Sequence, residues 1–489
     1  MTQTHFLALD LGAESGRAEL VTLAEGQVQL QELHRWPNRP VQMGPTLYWD
    51  LPYLLAEMLV GMRRCAESGC VLSGISVDTW GVDFGLLGDD GRLLGNPVHY
   101  RDSRTQGIHD YSNRVMPTEA IFRATGYEPW AISSLFQLLA MQRDNWPTLK
   151  LASTFLNMPD LFHYLLTGRA MSEMSIANTT NLMGVDCRWS RDIINQFGLS
   201  PEMFGPLVPP ATVVGHLTDS VRSQTGLGEV PVIATCGHDT SAALAAVPAD
   251  GDNWAFLSCG TWSILGTLVD QPIATQRCME LGFTNEYTIG GWYIARNILG
   301  LWLVQELRRK WDAPVDRWDY VRMTAEASAV RTDAMIDVSH ASLLAPSDME
   351  AAVVSLLSKD DQPTPQSRGE LVRCVLQSLA LEYACRLDSV SELTGRRPQT
   401  LYMVGGGIKN ELLCQLTADA CGLAVHAGAD QCTALGNALG QAMALGVLKS
   451  PDEIRQVMRQ STASRLFEPR DSGLWQDRKQ AYKRLKQRS

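Results

Sequence analysis

The sequence predicts an α/β protein made of two related lobes, because one strand–turn–strand pattern occurs in it twice. The first copy spans residues 6–23 and the second spans residues 254–268. In each copy, two apolar runs of strand length flank a short turn that contains glycine. A strand at 401–404 then leads through three glycines, 405–407, into a helix. Repetition of one supersecondary unit within a chain indicates two lobes of similar architecture.

Length and composition indicate a folded protein with more than one core. The 489 residues suffice for about two to four domains, and 45% of them are hydrophobic against 19% charged. The 42 lysines and arginines against 53 aspartates and glutamates give a net charge of -11. This charge disfavours nonspecific binding to nucleic acid or to an anionic membrane, so we expect neither as a partner.

The cysteines and the N-terminal residues favour a reducing, cytoplasmic setting. The 11 cysteines are scattered, odd in number and without a CxxC pair, which is typical of small core residues. Residues 1–20 lack the basic start and long apolar core of a signal peptide. No apolar run of 18 residues occurs, so we expect no membrane span and a cytoplasmic protein. The sequence predicts no particular oligomeric state.

The elements of the first lobe follow in the order strand, strand, strand, helix, strand. Residues 28–33 alternate like a third strand, and Asp50 is placed to cap a helix that Gly69 ends. Strands return at 74–78 and 82–87, and this order differs from the strict alternation of a dinucleotide fold. A short strand at 231–236 precedes a small apolar helix at 241–247.

The rest of the chain is rich in helical patterns. Residues 100–220 are mixed and mostly helical, and residues after 450 read as a charged helical tail with a solvated end at 478–488. In between, the pattern predicts a strand at 292–295 and helices at 299–311, 369–393 and 410–422. We therefore expect an N-terminal lobe at 1–245, a C-terminal lobe at 246–450 and a helical tail at 451–489.

The first turn has the chemistry of an anion site. Backbone amides, the Ser15 hydroxyl and the Arg17 guanidinium can donate hydrogen bonds to phosphate. Asp10 at the end of the preceding strand could hold a hydrated magnesium ion opposite that anion. The alternative is an ordinary hairpin with a solvated acid and arginine. The sequence has no P-loop, no GxGxxG spacing and no zinc pattern, so a nucleotide would have to be held by such turns.

Asp239 is the acid that we single out as a candidate general base. It follows a strand and precedes a helix, so helix capping is the competing interpretation. An ionised carboxylate there could accept a proton from a hydroxyl that attacks phosphorus. Asp83 and the run YRDSR at 100–104 could bind sugar hydroxyls, or could form ordinary salt bridges.

Several segments together resemble the FGGY carbohydrate kinases, over residues 5–445. They are DLGAESGR at 10–17, DTWGVDF at 78–84, GHDT at 237–240, SCGTWS at 258–263 and VGGG at 404–407. The resemblance implies an α/β fold of two actin-like ATPase lobes, of the ribonuclease H type, around a central cleft. It also implies ATP as phosphoryl donor and Mg²⁺ as metal.

The segments YRDSRT at 100–105 and NILGLWL at 297–303 are similar to one subgroup of that family. That subgroup transfers the γ-phosphoryl group of ATP to the 1-hydroxyl of L-rhamnulose, a step of rhamnose catabolism. Alternatives are a kinase of L-fuculose or xylulose, or an actin-like ATPase module that acts on protein. The last alternative would not need polar sugar-binding groups at Asp83, Asn297 and 238–240.

The resemblance assigns each site residue a role. Asp239 would be the base, and Asp10 would face Mg²⁺ through water. The ATP-binding residues would be Ala13, Glu14, Ser15, Gly16, Arg17, Thr261, Gln305, Gly405 and Gly406. The sugar-binding residues would be Gly81, Asp83, His238, Asp239, Thr240 and Asn297. Two departures from the family pattern are Glu14, an acid beside the ATP phosphates, and ISSL at 132–135 in the outer wall of the sugar pocket.

Overall fold

The structure, a computed structural model, describes residues 3–488 of the chain. The strands are β1 Thr4–Leu11, β2 Ser15–Ala24, β3 Gln27–Pro37, β4 Pro40–Met43, β5 Thr46–Trp49, β6 Leu72–Thr79, β7 Phe84–Leu87, β8 Thr154–Asn157, β9 Ser172–Glu173, β10 Leu207–Val208, β11 Thr212–His216, β12 Pro231–Ala234, β13 Trp254–Cys259, β14 Trp262–Val269, β15 Thr284–Thr288, β16 Gly291–Leu299, β17 Thr400–Val404, β18 Ala424–Ala427 and β19 Arg465–Phe467.

The α-helices are interspersed with these strands along the chain. They are α1 Leu51–Glu67, α2 Ile108–Ser112, α3 Thr118–Thr125, α4 Ser134–Arg143, α5 Pro147–Leu151, α6 Met158–Thr167, α7 Met174–Asn178, α8 Arg191–Gln196, α9 Asp219–Thr225, α10 Asp239–Ala245, α11 Gln276–Glu280, α12 Trp302–Trp311, α13 Tyr320–Ala329, α14 Met349–Lys359, α15 Arg368–Thr394, α16 Glu411–Cys421, α17 Cys432–Ala444, α18 Pro451–Ser461 and α19 Ser472–Lys486.

The chain forms two compact units that are interleaved along the sequence. The first contains Met1–Pro248, Val269–Ile294 and Gln431–Ser461. The second contains Ala249–Leu268, Ala295–Asp430 and Thr462–Ser489. Residues 431–461, which lie beyond the expected lobe boundary at residue 245, belong to the first unit.

The sheet of the first unit has the strand order β11-β12-β6-β1-β2-β3. Strand β1 pairs antiparallel with β2 and parallel with β6, and β12 also runs parallel to β6. Helix α1 packs its apolar side, with Leu54 and Met58, against Leu7 and Leu9 of β1. Helix α17 lies against the other face, where Gln441 Nε2 donates a hydrogen bond to the carbonyl oxygen of Leu7 at 3.0 Å.

The second unit repeats the strand order of the first. Its strands follow the order β16-β14-β13-β17-β18-β19. Strand β13 pairs antiparallel with β14 and parallel with β17, which in turn runs parallel to β18. The series β16-β14-β13-β17-β18 thus corresponds to β3-β2-β1-β6-β12. This repeat confirms the two related lobes that the recurring hairpin pattern predicts.

The predicted first helix and the predicted core cysteines are present. Helix α1 begins directly after Asp50, whose carboxylate accepts a hydrogen bond from the Tyr53 amide at 3.2 Å. It ends before Gly69, which has a positive φ of 74°. All eleven cysteines are free thiols, and eight of them are buried. Over residues 3–488 no helix has both the length and the apolar character that crossing a membrane requires.

The C-terminal residues differ from the prediction of a solvated end. They form helix α19, and Tyr482 on this helix is fully buried. Its hydroxyl donates a hydrogen bond to Glu382 on α15 at 3.1 Å, and Lys486 reaches the same carboxylate at 2.7 Å. Residues of this segment therefore pair with an acid of the second unit. The sequence did not predict this, because the pattern of charge alone does not show which side of a helix packs.

Candidate active site

The first hairpin places Asp10 beside another acid and opposite an arginine. On β1 it lies across from Arg17 of β2 and next to Asp78 of β6. The turn between β1 and β2 contains Gly12, whose amide donates to the Ser15 carbonyl oxygen at 3.0 Å. The Glu14 side chain is exposed, so its charge can point away from a bound phosphate.

Gly16 in this turn serves close packing rather than an unusual backbone angle. Neither Gly12 nor Gly16 has a positive φ. A Cβ atom at Gly16 would lie 2.2 Å from the indole ring of Trp36, so only glycine fits there. The loop is also held by Asn38, whose side-chain amide donates to the Gly12 carbonyl oxygen at 2.6 Å. The hairpin is thus a braced turn in which the predicted residues 13–17 lie together.

The negative charges of the buried Asp10 and Asp78 carboxylates are balanced by few positive charges or hydrogen bonds. Burial and the nearby Asp239 raise the pKa of Asp10 to about 6, although Arg17 opposes the shift. Burial and Asp10 also raise the pKa of Asp78. The Asn437 side chain donates to one Asp78 oxygen at 2.6 Å, while the other oxygen is buried without a hydrogen-bond partner. Such a cluster of acids suits a cation nearby.

Asp239 is the first residue of α10 and faces a histidine. Its side chain is 31% exposed, and His238 Nε2 lies 3.6 Å from its Oδ1 atom. The same oxygen accepts hydrogen bonds from the Thr240 amide at 2.6 Å and from the Thr240 hydroxyl at 3.2 Å. Burial raises the pKa of Asp239, and His238 is the first group that opposes this rise. The N-cap position itself belongs to His238, so capping does not account for Asp239.

Gly81 and Val82 form a close-packed loop beside His238. A Cβ atom at Gly81 would lie 3.4 Å from His238 Nε2 and 3.2 Å from Thr179. Val82 has a φ of 69°, a conformation that is strained for a β-branched residue. A hydrogen bond from the Val82 amide to Thr179 Oγ1, at 3.0 Å, holds the backbone in this conformation. The structure therefore brings together four residues that the sequence predicts for the sugar site, namely Gly81, His238, Asp239 and Thr240.

Asp83 does not lie where a sugar could reach it. It is fully buried, and its Oδ2 atom accepts hydrogen bonds from the indoles of Trp49 at 2.6 Å and Trp80 at 3.0 Å. Its Oδ1 atom accepts from Gln137 at 2.9 Å. The expectation of direct sugar contact is thus corrected, because protein donors already occupy both oxygens. Asp83 braces the loop that carries Gly81 instead.

In the nearby run at 100–104, Asp102 and Arg104 form an interior ion pair, whereas Arg101 and Ser103 are exposed. Asp102 and Arg104 are both buried and lie 3.5 Å apart. Arg104 also donates to the Gln137 side chain at 2.5 Å. This network continues through Gln137 to Asp83, so it stabilises the same loop.

Two buried glutamates near Asp239 were missed by the sequence analysis. Glu286 on β15 lies 3.0 Å from His238 Nδ1. Glu173 accepts hydrogen bonds from the Gly237 amide at 2.9 Å and from the Ser175 hydroxyl at 2.6 Å, which fixes the loop before His238. Burial raises the pKa of Glu173 to about 7. The local sequence pattern does not distinguish a buried acid in a short strand, such as Glu286 in Thr284–Thr288, from an exposed one.

In the second unit, the predicted nucleotide residues lie around the end of β13. Thr261 occupies the turn between β13 and β14, and its carbonyl oxygen accepts from the amides of Gly300 at 3.2 Å and Trp302 at 3.1 Å. A Cβ atom at Gly407 would lie 2.3 Å from Cys259 Sγ, and Gly405 has a φ of 83°. Gly405 and Gly407 are therefore required for close approach to this hairpin.

Gln305 and Asn297 lie on the elements that adjoin this turn. Gln305 is in the first half of α12, and Asn297 is near the end of β16; both are half-buried. Gly406 is the first residue of a short 3-10 helix, Gly406–Lys409, and a Cβ atom there would meet nothing within 4 Å. The second unit therefore holds the turn at Thr261, the glycines at 405–406 and Gln305, while the first unit holds the Asp10 hairpin and Asp239.

Two family models match this chain over most of its length. The FGGY family of carbohydrate kinases, N-terminal domain, matches residues 5–246, and the C-terminal domain of the same family matches residues 255–445. The chain belongs to the FGGY family of carbohydrate kinases. It is thus a carbohydrate kinase, in a family of ATP-dependent phosphotransferases that act on sugars.

Curated relatives within that class carry a more particular name. The chain is 38% identical over 475 residues to a rhamnulokinase of Bacteroides thetaiotaomicron, covering 96% of this chain and 97% of the relative. It is 33% identical over 485 residues to a rhamnulokinase of Enterococcus faecalis, covering 98% and 97%. A rhamnulokinase of Klebsiella pneumoniae is 35% identical over 473 residues, covering 96% and 95%.

Solved structures confirm the fold. A ligand-bound xylulose kinase from Lactobacillus acidophilus superimposes with a TM-score of 0.83 at 16% identity, covering 99% of this chain and 98% of that one. Glycerol kinase from Plasmodium falciparum, solved with ADP, gives a TM-score of 0.82 at 15% identity and the same coverage. The α/β fold with two actin-like ATPase units is therefore as predicted.

Proposed function

We propose that this chain transfers the γ-phosphoryl group of ATP to the 1-hydroxyl of L-rhamnulose, forming L-rhamnulose 1-phosphate in rhamnose metabolism. The observation that carries the proposal is the partly exposed Asp239, set between His238 and Thr240 and close to Gly81. The chain's similarity to rhamnulokinases along nearly its whole length supports this choice of sugar.

In the proposed reaction, Asp239 accepts the proton of the attacking hydroxyl. Oδ1 is held by Thr240, which leaves Oδ2 for the sugar hydroxyl. The hydroxyl oxygen then forms its bond to the γ-phosphorus as the bond to the β,γ-bridging oxygen breaks. Gly81, His238 and Thr240 lie together beside Asp239, and Asn297 is proposed as a further sugar-binding residue. Asp83 supports the Gly81 loop from its buried position.

Phosphate binding is assigned to the two hairpin turns. In the first unit, residues Ala13, Glu14, Ser15, Gly16 and Arg17 would offer backbone amides, a hydroxyl and one positive charge. In the second unit, Thr261, Gln305, Gly405 and Gly406 would border the nucleotide. Positioning and charge stabilisation supply most of the rate in phosphoryl transfer, so these contacts matter as much as the base.

The acidic groups of the first unit fit a magnesium ion. Asp10 and Asp78 are adjacent, and one Asp78 oxygen lacks a protein partner. Within residues 3–488, no three Asp, Glu, His or Cys side chains form a metal-holding group. We assign Mg²⁺ to Asp10 through water because Asp10 lies beside the unpartnered Asp78 oxygen, and this ion is reluctant to lose its hydration shell. The ion would neutralise charge that develops on the phosphates.

ADP release measured with a panel of sugars tests the proposal. The purified full-length chain is given MgATP with L-rhamnulose, L-fuculose, D-xylulose or glycerol, and kcat/KM is compared. We expect L-rhamnulose to be preferred and the phosphate to appear on its 1-hydroxyl in a ³¹P–¹H spectrum. Preference for another ketose would overturn the sugar assignment. ADP release that does not depend on any sugar would contradict the kinase proposal itself and favour an ATPase that acts on protein.

A further inference from the structure

A chain of buried polar groups leads from Asp239 into the first unit. His238 is at its centre, with Nε2 at 3.6 Å from Asp239 Oδ1 and Nδ1 at 3.0 Å from Glu286 Oε2. The Tyr293 hydroxyl donates a hydrogen bond to the same Glu286 oxygen at 2.8 Å and lies 3.0 Å from Ser241 Oγ. Two carboxylates thus face the two nitrogens of one imidazole ring.

The two carboxylates differ in their access to a ligand. The Asp239 side chain is 31% exposed, whereas that of Glu286 is 4% exposed. Glu286 therefore has no open path to a sugar or a phosphate. The charge of Glu286 therefore acts on Asp239 mainly through His238, the residue that lies between them, and to a smaller extent directly.

The charge state of His238 follows from this geometry. Burial alone favours a neutral imidazole, but a buried carboxylate needs a cationic partner. With a neutral His238, Glu286 would be a buried negative charge that accepts a hydrogen bond from the neutral Tyr293 hydroxyl. A protonated imidazolium carries an N–H on both nitrogens, so its positive charge compensates Glu286 on one side and Asp239 on the other.

We propose that Glu286 is a positioning residue that keeps His238 protonated, and that this imidazolium keeps Asp239 ionised and oriented toward the acceptor hydroxyl. The inference rests on the proposed function, since it takes Asp239 as the base. Every residue in it belongs to the first unit.

The electrostatic surroundings support this assignment. Burial lowers the pKa of His238, but Glu286, Asp239 and Glu173 outweigh it, so the pKa is raised overall. His238 is the largest influence that lowers the pKa of Asp239, whereas Glu286 directly raises it to a smaller extent. The other titratable groups that act on Asp239 or Glu286 are Asp10, Asp78, Tyr127 and Tyr293.

The variant Glu286→Gln tests the proposal through the direction in which the acidic limb of the pH profile moves. Without the Glu286 charge, His238 becomes neutral and Asp239 loses its cationic neighbour. We expect the acidic limb of kcat/KM for L-rhamnulose, measured at saturating MgATP, to move to higher pH by about 1 unit. If His238 stayed protonated, loss of the Glu286 charge would instead lower the pKa of Asp239. A limb that moves to lower pH, or does not move, therefore overturns the proposal.

Two further variants separate charge from packing. Tyr293→Phe removes the hydroxyl that contacts Glu286 but keeps the carboxylate, so its acidic limb should stay within about 0.3 unit of the wild type. Glu286→Asp keeps the charge and should restore most of the wild-type profile. If Tyr293→Phe shifted the limb as far as Glu286→Gln does, the effect would belong to packing and the proposal would fail.

A direct titration of His238 needs no activity. Histidine-selective labelling of the full-length chain, with His238→Gln to assign the signal, gives the His238 pKa by NMR in the absence of ligands. We expect a value above the usual ~6.5 in the wild type and below it in Glu286→Gln. A wild-type value below ~6.5 overturns the proposal even if Glu286→Gln does not fold. Failure of the wild type to phosphorylate any ketose would defeat the proposed function and leave this titration as a separate result.

Discussion

At the scale of single residues, the first unit carries more buried acid than its hydrogen bonds compensate. Glu19 on β2 is fully buried, and neither of its carboxylate oxygens has a hydrogen-bond partner. Burial and the nearby Asp10 raise its pKa to about 7, while Arg17 opposes the shift. A group whose pKa is raised by folding binds its proton more tightly in the folded state. Its ionisation therefore costs stability progressively as pH rises from about 4.5 to 7.

Replacing Glu19 with glutamine should remove this cost. At pH 8 the wild-type carboxylate is charged in both states, and we expect Glu19→Gln to raise the free energy of unfolding by about 1–3 kcal/mol. At a pH of about 3 the carboxyl is protonated in both states, so the gain should vanish. Urea unfolding at the two pH values measures the difference, and the exposed Glu67→Gln is the control. A gain that is equal at both pH values would contradict the electrostatic explanation.

At the scale of elements, the close approach of α10 and α17 positions the candidate base. Gly436 on α17 faces α10, and a Cβ atom there would lie 1.9 Å from the Ala242 carbonyl oxygen. The helix that begins with Asp239 is therefore held at a distance that only glycine allows. Residues from the far end of the sequence thus define the position of a residue near its middle.

The substitution Gly436→Ala should push these helices apart. We expect a loss of stability of at least about 1–3 kcal/mol and a lower kcat, because the start of α10 moves with its packing. Thermal unfolding and ADP release under the same buffer conditions measure both effects. Gly473→Ala on α19 is the matched control, since a Cβ atom there meets nothing within 4 Å. Unchanged stability and kcat in Gly436→Ala would show that the contact is not a constraint.

Local patterns predicted the elements that local chemistry determines. The two glycine hairpins, the helix capped by Asp50 and the strand before Gly405 are present because periodicity and turn residues act over short stretches. Burial by distant segments was not predictable in this way. Asp83 reads as a polar group beside a strand, yet Trp49 and Gln137 enclose it. The burial of Glu286 was not predictable from its neighbours in sequence, because its partner His238 is 48 positions away in the chain.

At the scale of the whole molecule, the chain crosses between its two units several times, and its last helix completes a core. Helix α19 belongs to the second unit, where Tyr482 is fully buried against α15. The buried Glu382 on α15 is surrounded by Tyr482, Lys486 and Arg386. The C-terminal segment is therefore part of the fold of the second unit, not an appendage.

Truncating the Tyr482 side chain should destabilise the protein. We expect Tyr482→Ala to lower the free energy of unfolding by about 3–5 kcal/mol, since it leaves a cavity and removes a donor to the buried Glu382. Calorimetry of the full-length chain measures the loss. Leu474→Ala on the same helix is the control, because Leu474 is 52% exposed. If the two variants melted alike, α19 would not be a core element.

The kinetics of Asp239→Asn test the central claim most directly, that Asp239 is the base of a sugar kinase. Asparagine keeps the shape and the hydrogen bond with Thr240 but has no basicity. We predict that kcat with L-rhamnulose falls by at least about 10²-fold, while the sugar Kd from calorimetric titration and the Tm stay close to the wild type. An Asp239→Asn enzyme that phosphorylates L-rhamnulose at nearly the wild-type kcat would contradict the account.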